Sequence, residues 1–205
     1  MVSPFSFFIY TFVRSPRLYA LCSVLCTLYS INSLSLMTQN ILYSNKCIEF
    51  LTVSSEYCKY LEQAEASDRN EFNDVVRGLL VLIYLKASLL PEFDEPEGYN
   101  EPKVTEADYN YIRNKVALIM KELDDYLDVF VEDFKYTDQP ILCTISEGIA
   151  DIYQVLRELT ETYKNAYDEA IHAQLFDVKE TFQTEWGQTL LNTIKALHDS
   201  RFTNG

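Results

Sequence analysis

The sequence predicts an all-α protein, a single antiparallel bundle of five to six helices with an apolar N-terminal tail. Three observations predict it. Five glycines and six prolines in 205 residues are too few for a turn-rich β protein, and Leu, Ala, Glu, Tyr and Lys fill long stretches that favour helix. Apolar residues recur at three- and four-residue intervals, the period of a helix with one buried face. Thr and Asp stand where several of these periodic stretches begin, as helix caps do.

Two compositions are joined in the chain. No Asp or Glu precedes Glu49, and up to Ile48 the only charges are Arg14, Arg17 and Lys46. From Glu49 onward 14 basic residues face 31 acidic ones. The domain division drawn from this is an apolar extension, residues 1–39, and a helical-bundle domain, residues 40–205. Leu18 to Tyr29, behind Arg14 and Arg17, begins like a secretory signal. A second apolar block, Phe5 to Val13, already precedes the arginines, and the small-x-small site is the weak Ser33-Leu34-Ser35. Twelve apolar residues also fall short of the ~20 that cross a bilayer as a helix. The extension is read as a tail or as the product of a start misplaced upstream of Met37, with a signal or an anchor as alternatives. Membrane association is expected only if the extension is real, and otherwise a cytoplasmic protein.

The elements follow in order. Ile48, Leu51, Tyr57, Cys58 and Leu61 predict a first helix over 44–64. Asp68 with Glu71 forms a capping box that opens a second helix, which Pro91 stops. Gly78 to Leu90 is apolar nearly all round, so this helix is expected to be the central one, covered on more than one side. Residues 91–104 carry three prolines and five acids and read as an irregular loop. Thr105 with Asp108 caps a third helix to about Lys121, and Leu123, Leu127, Phe130 and Phe134 continue a helical stripe past a break near Asp124. Thr144 with Glu147 opens a fourth helix with Ile145, Ile149, Ile152, Leu156, Leu159 and Tyr163 on one face. The last helix, from about 168 to 200, buries Ile171, Leu175, Val178, Phe182, Trp186, Leu190, Ile194 and Leu197.

Charge and residue types narrow the function. A pI near 4.5 argues against nucleic acid as a partner, because phosphate binding needs clustered Lys and Arg. The five cysteines are odd in number and lack CxxC spacing, which points to reduced thiols and no structural zinc. Glu169-x-x-His172 has the spacing of a di-iron half-site, but His198, the other histidine, has Lys195 where the second Glu is required. No metal or cofactor is expected. Six acids crowd Glu122 to Asp133, and helical phasing makes Asp124, Asp125, Asp128 and Glu132 a solvated face. Lys86 shares a face with Leu82, Ile83, Leu89 and Leu90, so it either lifts its nitrogen into water or pairs with Glu147 and Asp151, one turn apart on the fourth helix. Gly187 inside a helix implies a close approach beside Trp186 and Gln188, by a neighbouring helix or by a ligand.

Three blocks resemble a bacterial domain-of-unknown-function family, family 5063: Tyr84-Leu85-Lys86-Ala87-Ser88-Leu89-Leu90-Pro91, Ile145 through Glu147 and Asp151 to Gln154, and Phe182 through Trp186-Gly187-Gln188 to His198. The resemblance covers about Asn40 to Phe202 and implies a mostly helical, cytoplasmic protein with no assigned activity. It leaves residues 1–36 outside. The functional expectation is a non-enzymatic acidic bundle acting through a protein partner, with Tyr99, Tyr109 and Tyr111 suited to an interface. The alternative is a small-molecule-binding or enzymatic bundle whose polar pocket gathers Lys86, Glu147, Asp151, Trp186 and Gln188.

Overall fold

The computed structural model describes residues 41–64, 68–128 and 141–202. The N-terminal extension, and Phe130, Glu132 and Phe134 of the acidic stretch, lie outside them. The described residues form six α-helices: α1 (Asn45–Gln63), α2 (Arg69–Ser88), α3 (Glu106–Met120), α4 (Ile145–Asn165), α5 (Asp168–Thr181) and α6 (Gly187–Phe202). No helix among them is long and apolar enough to cross a membrane.

Local chemistry sets the helix ends. Ser44 Oγ accepts from the Cys47 amide at the start of α1, and Thr105 and Asp108 close a full capping box on α3. The box expected at α2 does not close: Asp68 accepts from the amide of Asn70, two residues on, and not from that of Glu71. At the far ends, Lys115 donates to the carbonyls of Leu61 and Glu62 in the last turn of α1, and the buried Lys179 donates to that of Leu90 just beyond α2. Both place a cation where unpaired carbonyls concentrate negative charge.

The central helix is α4, which packs against α1, α3, α5 and α6. Its buried line is the expected one, with Ile145, Ile149, Ile152, Leu156 and Leu159 at 1% exposure or less. Gly148 lets α6 approach, since a Cβ there would overlap Thr193 Oγ1. The expectation that α2 is central is corrected. It packs chiefly on α1 and α6, burying Phe72, Val76, Leu80 and Ile83 and leaving Val81, Leu82, Leu85 and Leu89 between 45 and 51% exposed. Continuous hydrophobicity marks what a helix could bury, not what is there to cover it. In α1 the phase also shifts: Cys47, Phe50 and Ser54 are inside, whereas Ile48 is 40% exposed.

Up to Asp128 the acidic stretch is not the continued helix that its spacing suggested. After a turn at Lys121, whose φ is 53°, a short 3-10 segment (Lys121–Leu123) leads into β1 (Asp125–Asp128). This pairs antiparallel with β2 (Ile141–Thr144), Asp125 opposite Thr144. Leu127 is 62% exposed. Asp124, expected on the solvated face, is 8% exposed and caps α4, accepting from the Ser146 amide at 2.8 Å and the Ser146 hydroxyl at 2.6 Å. A carboxylate at a helix N-terminus satisfies orphan amides and meets the positive end of the dipole.

α5 and α6 are one helical rod interrupted by a π turn, Phe182–Trp186. From Val178 the buried line advances four residues at a time, to Phe182, Trp186, Leu190 and Ile194, and would drift around a regular 3.6-residue helix. The wider π turn takes up part of that drift. It also explains Gly187, where a Cβ would overlap the Phe182 carbonyl oxygen. The close approach therefore comes from the preceding turn of the same rod, not from a neighbouring helix or a ligand.

Candidate functional site

The five positions singled out by sequence do not converge on one pocket. Lys86 turns toward α1, its Nζ 2.7 Å from Glu49 Oε2, and so pairs with neither Glu147 nor Asp151. Glu147 is exposed, while Asp151 accepts from the Tyr109 hydroxyl at 2.8 Å. Gln188 is exposed and donates to Asn192. Trp186 is 3% exposed, its indole N–H donating to the Val178 carbonyl at 3.1 Å. Lys86 sits on the seam of α1 and α2 because, on α2, it faces α1 and not α4.

Trp186 does line a cleft of about 310 Å³ between α4, the α5–π rod and the loop at 99–102. Gln154 and Glu158 come from α4, Gln174, Asp177 and Thr181 from α5, Glu185 from the π turn, and Tyr99 to Pro102 from the loop. None of the residues lining it is basic. The loop is a fixed wall: Glu158 accepts from the amides of Lys103 and Val104 at 2.7 to 2.9 Å, and Asn100 Nδ2 donates to the Ala170 carbonyl at 2.7 Å. Glu101, Asp177 and Glu185 supply further carboxylates.

Two aspartates of this region are shifted by their surroundings. Burial raises the Asp177 carboxyl above the usual carboxylate range, and Glu180 and Glu185 add to the shift. Asp151, on the same face of α4 as Gln154 and Glu158, is raised by desolvation and by Glu147, against the lowering effect of the Tyr109 hydrogen bond. Burial and the Asp151 carboxylate raise the Tyr109 phenol in turn. The two histidines stand apart: His172 packs edge-on against Phe93, and His198 packs against Phe202. Among the described residues no group of His, Cys, Asp and Glu is arranged to hold a metal ion.

Sequence reading found Trp186 and missed Asp177, Glu185, Gln154 and Glu158. A signal was present. Asp177, Thr181 and Glu185 recur every four residues beside the buried line of the last helix, and Gln154 and Glu158 do so on α4. Each set alone reads as a solvated face, and only the packing of the two helices makes a cleft between them.

The model of a family described as a domain of unknown function, DUF5063, matches residues 41–203. The crystal structure of protein BF1032 from Bacteroides fragilis is similar, with a TM-score of 0.70 and 36% identity, over 79% of this chain and 96% of that one. No curated protein matches the chain. All three blocks quoted from the sequence fall inside the matched span, and the chain belongs to the DUF5063 family.

Proposed function

We propose that the protein is a non-enzymatic binding module of the bacterial cytoplasm, acting through a protein partner whose basic segment enters the acidic cleft. The observation that carries this reading is the lining itself. Carboxylates from three elements, Glu101, Asp177 and Glu185, surround a site without a basic residue, beside the rings of Trp186 and Tyr99. Such a site attracts a cationic side chain by charge and by the faces of aromatic rings. A volume of about 310 Å³ accommodates one long side chain or a short extended segment, not a folded surface. The exposed Tyr99 offers amphipathic contact area at its rim. A second reading, a small cationic molecule in the same cleft, draws on the same volume and charge.

Trp186 is the sole tryptophan and reports on the cleft directly. Titration with an Arg- and Lys-rich peptide is expected to give a saturable change in its emission that weakens with salt. The double variant Asp177→Asn, Glu185→Gln is expected to weaken binding at least tenfold while far-UV circular dichroism stays unchanged. A response to spermidine but not to peptide would support the small-molecule reading. Silence with both ligands, together with a native pull-down that recovers no partner, would sink the proposal.

A further inference from the structure

The outward face of α2 is an apolar feature left without a covering element among the described residues. Val75, Gly78, Leu82, Leu85 and Leu89 follow one another at alternating steps of three and four, a heptad seam over four turns. All five positions are open, with Val75 at 36%, Leu82 at 45%, Leu85 at 49% and Leu89 at 46% exposure. Val81, at 51%, widens the strip, and between Val75 and Leu89 the exposed positions carry no ionisable group, the half-buried Lys86 at its edge being neutralised by Glu49 of α1. On the two helices that flank α2, Ile48 of α1 and Leu191 of α6 are 40 and 42% exposed.

We propose that this face joins two copies of the chain through an antiparallel pairing of their α2 helices. Three arguments select a second copy over another occupant. The seam is self-complementary: in an antiparallel pair the steps-of-three and steps-of-four positions oppose each other, so Gly78 of one copy faces a leucine of the other. A Cβ built on Gly78 meets nothing within 4 Å, so within one copy its lack of a side chain serves no contact. The size also fits. The strip from Val75 to Leu89 runs ~21 Å along the helix, and with Ile48 and Leu191 on its flanks it reaches the few hundred Å² at which an exposed apolar face marks a contact. Finally, a chain of net charge −14 repels its own copy except where carboxylates are absent, and this strip is such a place. A basic partner would find no counter-charge on it.

Light scattering on the full chain tests this. The wild type is expected at about twice 23.8 kDa, and Leu82→Glu and Gly78→Leu are each expected to weaken the dimer at least tenfold with unchanged circular dichroism. Gly78→Leu is informative because the single copy has room for the side chain and the pair does not. The control Leu118→Glu, at a leucine of α3 that is 75% exposed, is expected to leave the dimer intact. A monomeric wild type, or a dimer that survives both α2 variants, overturns the proposal. A monomer destabilised by Leu82→Glu would assign the face instead to the chain's own apolar residues 1–36, and overturns it equally. None of these positions lines the cleft, so failure here leaves the peptide titration untouched.

Discussion

Gly148 shows how little room α4 and α6 leave each other. Thr193 Oγ1 occupies the space a Cβ would need, is fully buried, and donates to the Thr189 carbonyl. Gly148→Ala should therefore destabilise the protein by about 1 to 3 kcal/mol although Ala favours helix more than Gly does, because overpacking outweighs propensity. Adding Thr193→Ala should recover most of the loss in a urea titration; a single Gly148→Ala variant as stable as wild type would show that the helices yield freely. Other residues of the core act through hydrogen bonds that reach across the fold. Tyr57, fully buried, donates to the Ile149 carbonyl of α4, and Tyr163 donates to that of Leu42. Cys58 beside Tyr57 has its thiol pushed up to about 12, chiefly by burial, which keeps it protonated and unreactive.

At the scale of elements, the π turn couples the bundle to the cleft. It spends an extra residue per turn, and in doing so carries Glu185 and Trp186 to the cleft lining while α5 and α6 keep their own buried faces. Deleting Gln183, an exposed residue of that turn, should let α5 and α6 join as a regular helix with both buried faces kept. The expected outcome is a thermal midpoint within a few degrees of wild type and loss of the peptide-induced change in Trp186 emission. Retained binding would mean that the turn does not place the site. The β ribbon is the element that the sequence hid most effectively. Leu123 and Leu127 sit four apart as in a helix, yet Asp124 between them turns inward to hold the start of α4, and the chain runs on as a strand. Spacing alone cannot separate these outcomes over so few residues.

At the scale of the whole molecule, acidity should set how stability depends on pH. Asp124, Asp151 and Asp177 all titrate above the usual carboxylate value, in each case chiefly through desolvation. Between that usual value, ~4, and each raised one, the folded chain holds more protons than the unfolded chain, so stability falls as pH rises through the window. Acidification also relieves the self-repulsion of a chain of net charge −14. Asp74, Asp108 and Glu122 are shifted down, and their contributions are lost only below the usual carboxylate value. Unfolding free energy should therefore be higher at pH 5 than at pH 7, and Asp124→Asn should flatten the difference. Denaturant titrations at the two pH values check this; equal or lower stability at pH 5 would contradict it.

The sequence by itself determined what is local: the helical class, the caps at Thr105 and Thr144, the break near Asp124, and the buried lines of α4 and of the α5–α6 rod. These depend on contacts within a few residues, which spacing records. Tertiary structure alone decided which helix stands at the centre, which partner Lys86 takes, and where a cleft opens. Gly78 to Leu90 is the most apolar stretch of the body, yet α4 became the core, because the central place goes to the helix with neighbours on the most sides. Tyr99, Gln154 and Trp186 meet across more than 80 residues of chain, and nothing local in the sequence encodes that meeting.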